Sequence, residues 1–142
     1  MHATSIARPF HHDAWVYEEK VDGYRMMAQK EGEQVRLISR TGKDHTPRFP
    51  GLVAALRSLS YCTLVLDGEV ARYDERLISR FEWLRSDPLD EIATPPMFMA
   101  FDLLEWEGAD VRVQPFRARR QMLERVLDHA PAVLLPVCRG SC

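Results

Sequence analysis

Tyr24-Arg-Met-Met-Ala-Gln-Lys-Glu-Gly-Glu-Gln-Val-Arg-Leu-Ile-Ser39 holds two runs of strand type, Tyr24–Gln29 and Val35–Ser39, separated by Glu31-Gly32-Glu33. Two such runs around a short glycine-containing break specify a β-hairpin and therefore an antiparallel start to a sheet. Further strand-type runs lie at Ala14-Trp-Val-Tyr-Glu18, and at Thr63–Leu66 and Val70–Tyr73, where Asp67-Gly68-Glu69 reads as the intervening turn. Met97-Phe-Met-Ala-Phe-Asp-Leu-Leu104 is almost continuously apolar, as a buried central strand would be. Val133-Leu-Leu-Pro-Val137 is a last, short strand-like run.

Helical periodicity appears twice between these strands. Pro50-Gly51 opens a segment with Leu52, Val53, Leu56 and Leu59 at helical spacing, which predicts an amphipathic helix over the sheet. After a turn at Glu107-Gly108, Pro115 precedes the clearest helix, with Phe116, Leu123, Val126 and Leu127 on one side. The arginines at 117, 119, 120 and 125 fall largely elsewhere on it and, with Arg112, read as a solvated charged face, contact with nucleic-acid phosphates being the alternative. Ser79 and Glu82 have the spacing of a capping box ahead of Trp83 and Leu84. Strands and helices interleave without regular β-α-β alternation or a glycine-rich strand-to-helix turn. The expected fold is therefore α+β, with mainly antiparallel sheet and packed helices, rather than doubly wound.

The chain's 142 residues, 46% of them hydrophobic, are enough to bury a core without disulfides. Cys62, Cys138 and Cys142 form no CxxC pair and are odd in number, which excludes a disulfide framework and a four-ligand zinc site. No apolar run reaches membrane-spanning length and no secretory leader is visible, so the expectation is a cytoplasmic protein with no membrane partner. A net charge of −2 excludes a strongly basic nucleic-acid binder, while leaving room for a local basic face. His11-His12-Asp13 lacks partners at metal-ligand spacing and reads as part of an N-terminal arm.

Four short stretches carry the chemistry: Glu18-Glu19-Lys20-Val21-Asp22-Gly23-Tyr24-Arg25, Ser39-Arg40-Thr41-Gly42, Leu66-Asp67-Gly68-Glu69-Val70 and Phe98-Met-Ala-Phe101-Asp102-Leu-Leu104. Taken singly, Lys20, Asp22 and Arg25 read as solvated charges around an Asp-Gly turn. As an ordered set, the four stretches resemble the ATP-dependent DNA ligases of the bacterial end-joining type, within the wider superfamily of lysine-adenylating ligases and capping enzymes. The resemblance extends from Trp15 to about Pro136.

That resemblance implies the N-terminal half of an adenylation (ATP-grasp-like) domain. It makes Lys20 the nucleophile that attacks the α-phosphorus of ATP and holds AMP as a phosphoramidate. A lysine reacts only as the free amine, so its surroundings must promote proton loss. Position by position, Glu18 would accept from the adenine amino group, and Arg25 and Arg40 would hold the ribose and phosphate end. Asp22 and Gly23 would belong to the nucleotide-binding set, Asp22 orienting its neighbours rather than reacting and Gly23 permitting close backbone approach. Phe101 would stack on the base, although its apolar neighbours equally suit a plain core position. Glu69 would act at the ribose or through Mg²⁺ or Mn²⁺, since carboxylate oxygens suit hard cations. The implied partners are ATP and nicked or broken DNA.

The same resemblance implies a further Glu-Gly motif and a two-lysine motif downstream, and neither occurs in these 142 residues. The expectation is an arm over residues 1–13, a partial nucleotidyltransferase domain over 14–137, a tail over 138–142, and no oligonucleotide-binding barrel. Such a chain would be weak or inactive alone, and would self-associate or pair with a complementary C-terminal half. A non-catalytic remnant that binds nucleotide, DNA ends or a repair partner is the alternative; an RNA ligase or capping-type enzyme is a third.

Overall fold

The computed structural model describes residues 6–8, 17–85 and 93–137. The hairpin forms where the sequence places it, as β1 (Tyr24–Glu31) and β2 (Gln34–Ser39), with Gly32 at φ +56° in the turn. The other strands are β3 (Thr63–Ala71), β4 (Met97–Trp106), β5 (Ala109–Asp110) and β6 (Leu134–Pro136). They form one sheet in the order β2-β1-β3-β4-β5, with β6 also paired to β4. All pairings are antiparallel except β4 with β6. The α+β expectation holds.

One face of the sheet is the core. Met26 and Ala28 from β1, Leu37 from β2, Leu64, Leu66 and Val70 from β3, and Phe98, Ala100 and Leu103 from β4 are all buried. Helices α1 (Pro50–Arg57) and α2 (Phe116–Leu127) supply the covering layer through Leu52 and Leu56, and through Leu123, Val126 and Leu127. Pro50 sits in the first turn of α1, where its missing N–H costs nothing. Alternate strand residues face the other way. Arg25, Met27, Ile38, Val65, Asp67, Glu69, Met99 and Phe101 are accordingly only partly buried. Among the described residues no helix is long and apolar enough to cross a membrane.

Four local expectations are corrected. Asp67-Gly68-Glu69 is no turn: β3 runs straight through it, and Gly68 is there because the Phe98 ring occupies the space above it. A Cβ at Gly68 would lie 2.6 Å from Phe98 Cζ and 2.7 Å from the Met99 carbonyl oxygen. Ser79 caps nothing; Phe81–Leu84 is a 3-10 turn without a side-chain cap, and Ser79 Oγ accepts the Asp22 N–H at 2.9 Å instead. Phe116 is exposed at the start of α2, whereas Arg119 and Arg120 turn inward to partners on the sheet. Of the strand expected at Ala14–Glu18, residues 14–16 lie outside the described residues, as do His11-His12-Asp13, Cys138 and Cys142, and Tyr17 and Glu18 are not in a strand.

β4 departs from a regular ladder. Its register against β3 shifts twice, between Val65 and Leu66 and between Asp67 and Gly68, so that Leu104 and Phe101 are passed over. Bulges of this kind bend a strand and re-aim side chains. Here the alternation of β4 changes phase after Phe101, where Asp102 is half-buried and Leu103 is core.

Candidate functional site

Lys20–Gly23 leads into β1 and lies against the end of β3. Contact is so close that a Cβ on Gly23 would lie 2.1 Å from the Val70 carbonyl oxygen, leaving room only for glycine. The Gly23 N–H donates to the Glu69 carboxylate. Asp22 secures the segment from the other side: its N–H donates to Ser79 Oγ, and its Oδ2 accepts the Phe81 N–H at 3.2 Å. Its Oδ1 is 3.7 Å from Lys20 Nζ, and the Lys20 side chain is 87% exposed. An anchored backbone thus presents a freely reachable amine. Asp22 is a fastening residue here, as its place beside an Asp-Gly step suggested.

Arg25 and Glu69 face each other across β1 and β3. The Arg25 guanidinium, however, reaches diagonally to Asp67 and binds it at two points, Nε to Oδ1 at 3.1 Å and NH2 to Oδ2 at 2.6 Å. The same guanidinium carbon stands 5.4 Å from the centre of the Phe101 ring. Phe101 is half-buried, while its neighbour Phe98 is the true core residue. An arginine over a ring is itself favourable and gives the open face a flat, partly apolar floor.

Beside Arg25 and Asp67 opens a cleft of about 510 Å³, lined also by Met27, Ile38, Ser39, Arg40 and Gly42. That lies within the usual range for small-molecule sites, about 300–1,000 Å³. Arg40 is placed there by a tight turn: Ser39 N–H donates to the Lys43 carbonyl at 2.9 Å, Gly42 N–H to the Ser39 carbonyl at 2.8 Å, and Gly42 takes φ +80°. Arg25 and Arg40, 15 positions apart in sequence, therefore line one concavity.

Charge in the site is set by burial and pairing. Burial pushes the Glu69 carboxyl above its ordinary pKa, a shift that the Gly23 N–H, Arg25 and Lys20 oppose. The hydrogen bond to Asp67 raises Arg25 above its ordinary value. Tyr73, buried near Glu19 and Glu69, is pushed up to about 12 and stays neutral at physiological pH.

Glu18 is not brought to the cleft. Its Oε1 lies 2.7 Å from Arg120 NH2, against the start of α2. Arg120 also donates through NH1 to the Phe101 carbonyl at 2.9 Å, and Arg119 binds Asp102 at two points, both at 2.8 Å. Sequence reasoning missed Asp67, Ser79, Arg119 and Arg120. For Asp67 a signal existed: Leu64, Leu66, Gly68 and Val70 alternate with Val65, Asp67 and Glu69, the period of a single half-buried strand. For the arginines no local signal exists, because helix periodicity alone does not say which polar residues meet a sheet.

Among the described residues no group of three or more His, Cys, Asp or Glu side chains is placed to hold a metal ion. Asp67 is occupied by Arg25 and Asp22 by the Phe81 N–H and Lys20, which leaves Glu69, within electrostatic reach of Lys20, as the further carboxylate of the site. Mg²⁺ commonly binds through one or two carboxylates together with substrate phosphates and waters. The donor set fits a cation shared with a nucleotide, and does not fit a self-sufficient protein cage.

The ATP dependent DNA ligase domain model matches residues 2–135, so the chain belongs to that family. It is 38% identical over 114 residues to the multifunctional non-homologous end joining protein LigD of Pseudomonas aeruginosa, covering 80% of this chain and 14% of that protein. The crystal structure of the ligase domain from M. tuberculosis LigD superposes with a TM-score of 0.72 at 30% identity, over 87% of this chain and 40% of that one. A mycobacterial DNA ligase D complexed with ATP and MES gives a TM-score of 0.69 at 29% identity, with the same coverage. The chain thus spans under half of each solved relative and about a seventh of the Pseudomonas protein.

Proposed function

We propose that this chain carries the nucleotide-binding and lysine-adenylating part of an ATP-dependent DNA ligase that acts in end-joining repair. The observation that carries this reading is the fastening of Lys20–Gly23 onto the end of β3, next to Glu69 and to an open face floored by Arg25 and Phe101. Family membership and the ATP complex of the similar mycobacterial ligase support it.

In this reading ATP lies along the open face with its base toward Phe101 and Glu18 and its phosphates toward Lys20 and the arginines. Guanidinium groups suit phosphate oxygens through paired hydrogen bonds. The neutral Lys20 amine attacks the α-phosphorus; the N–P bond forms, the bond to the bridging α–β oxygen breaks, and pyrophosphate leaves with that electron pair. The amine proton passes to solvent or a nearby carboxylate. A DNA 5′-phosphate then takes AMP from Lys20, and attack by a neighbouring 3′-hydroxyl expels AMP and closes the nick. Mg²⁺ or Mn²⁺ would be held by Glu69 together with the nucleotide and, when bound, would neutralise charge at the phosphates.

Positioning and electrostatic stabilisation dominate phosphoryl transfer, so each donor to the nucleotide matters. The test is intact-protein mass spectrometry after incubation with ATP and Mg²⁺ or Mn²⁺. One covalent AMP is expected on the wild-type chain and none on Lys20→Ala. A folded chain that never gains the adduct would overturn covalent chemistry for it and leave nucleotide or DNA-end binding without catalysis.

A further inference from the structure

Arg120 is 8% exposed, an unusual degree of burial for a charged residue on a helix. Its guanidinium spans two elements: NH2 forms an ion pair with Glu18 Oε1 at 2.7 Å without the alignment of a hydrogen bond, and NH1 donates to the Phe101 carbonyl at 2.9 Å. Nε lies 4.0 Å from Glu124, one turn further along α2. Phe101 is a residue that β3 passes over, between Ala100 and Asp102, which pair with Gly68 and Asp67, and its carbonyl goes to Arg120. Glu18 lies outside any strand, two residues ahead of Lys20. Next to Arg120, Arg119 grips Asp102 at two points and holds the same bulge from the adjacent position.

We propose that Arg120 is a positioning residue of the nucleotide site, fixing the Glu18 carboxylate and the Phe101 backbone at one spacing through a single guanidinium. This rests on the reading of Glu18 and Phe101 as the base-recognising pair. The planar fork of arginine is what the task requires. Its nitrogens sit at fixed places in one plane, so pairing with a carboxylate on one side while donating to a carbonyl on the other sets the distance between them. A lysine ammonium would offer charge without that geometry. Burial strengthens both contacts by excluding water, and it spares the nucleotide from ordering Glu18 itself. With Oε1 held by Arg120, the remaining acceptor positions of Glu18 have a defined direction.

The test uses the full chain and two readouts. Hydrogen–deuterium exchange across Glu18–Asp22 reports restraint without any nucleotide, and the ratio of affinities for ATP and inosine triphosphate reports recognition of the 6-amino group. Arg120→Met, which keeps the apolar stem, is expected to speed exchange over Glu18–Asp22 about tenfold and to lower the ATP preference by a similar factor, the scale of one charged contact. Arg120→Lys is expected to recover only part of either. Should Arg120→Met fail to fold, Arg120→Lys, which keeps the charge and loses the planar fork, is expected to show both losses in smaller measure. In a folded Arg120→Met chain, adding Glu18→Ala should lower the ATP preference no further than Glu18→Ala does alone.

Unchanged exchange and an unchanged ratio in a folded Arg120→Met chain would overturn the proposal. A ratio that depends on Glu18 but not on Arg120 would likewise overturn it, with the base-site reading intact. A wild-type chain with no preference for ATP over inosine triphosphate would overturn the base-site reading and, with it, the nucleotide role of Arg120. In that case exchange that still depended on Arg120 would show the restraint on Glu18 to be structural only.

Discussion

Arg25 is bound at two points to Asp67 although its partner across the β1–β3 ladder is Glu69. The diagonal choice leaves Glu69 free of a tight arginine clamp, keeps it on the Gly23 N–H, and centres the Arg25 guanidinium over Phe101. One ion pair therefore divides two carboxylates on the same strand face into a fastener and an available ligand.

Replacing Asp67 with Ala is expected to release Arg25 from its place above Phe101. Arg25 is 39% and Asp67 17% exposed in the pair, so solvent screening reduces the usual value of a charged hydrogen bond. The expected stability loss is about 1 kcal/mol, measured by urea unfolding. Nucleotide affinity should fall more, about tenfold by titration calorimetry, because an unanchored guanidinium must be ordered again on binding. A variant with full affinity would show that the pair is structural alone.

Gly23→Ala places a methyl group 2.1 Å from the Val70 carbonyl oxygen, a backbone atom that cannot step aside cheaply. The Lys20–Gly23 segment must then lift from β3 and lose the Glu69 contact. A displacement near 1 Å commonly costs roughly 10²-fold in rate. Adduct formation in single-turnover labelling should drop by about that factor while the circular dichroism of the sheet is retained. Labelling at the wild-type rate would refute the close fastening.

Gly68→Ala probes the core instead. In an open strand alanine is at least as good as glycine, but here the added methyl meets the buried Phe98 ring and the Met99 carbonyl. Overpacking of this kind destabilises by roughly 1–3 kcal/mol. Chemical denaturation should show that loss; a gain in stability would mean that the ring has room to retreat.

The pH dependence of Glu69 has a definite sign. Burial raises its folded-state pKa above the ordinary 4.5, so the native chain holds this proton more tightly than the unfolded chain does. The contribution to stability is then greatest below pH 4.5 and falls as pH rises through the higher folded value. Glu69→Gln keeps an acceptor for the Gly23 N–H and removes the titration. Its stability relative to wild type should increase over that window, measured by denaturant midpoints across pH. Asp44 and Asp110, whose carboxyls are held low by Thr46 and by Arg112, act in the opposite direction and are common to both proteins. Cation-dependent labelling by the wild type should weaken as acid protonates Glu69. A flat difference between the two proteins would show that the carboxyl is solvated.

The hairpin Tyr24–Ser39, both helices and the apolar β4 were legible in the sequence because each rests on local chemistry: a glycine turn, a helical period opened by proline, a run of strand-forming residues. The ordered motifs around Lys20, Arg40, Glu69 and Phe101 were legible too, and they identified the family that the comparisons establish. What the sequence hid are the pairings between distant segments. Asp67-Gly68 has the composition of a turn, which masked the alternation around it, and the pairing of β3 with β1 and β4 on its two edges makes it the middle of a strand. Arg119 and Arg120 have the periodicity of a solvated helix face, and only the bulge of β4 beneath α2 gives them carboxylate and carbonyl partners. Local propensity and period are properties of a few neighbouring residues, and so the sequence by itself determined the elements and the motif order. Burial and ion pairing depend on what the fold brings within a few ångströms, and so the tertiary structure alone decided which charges became fasteners and which remained available for chemistry.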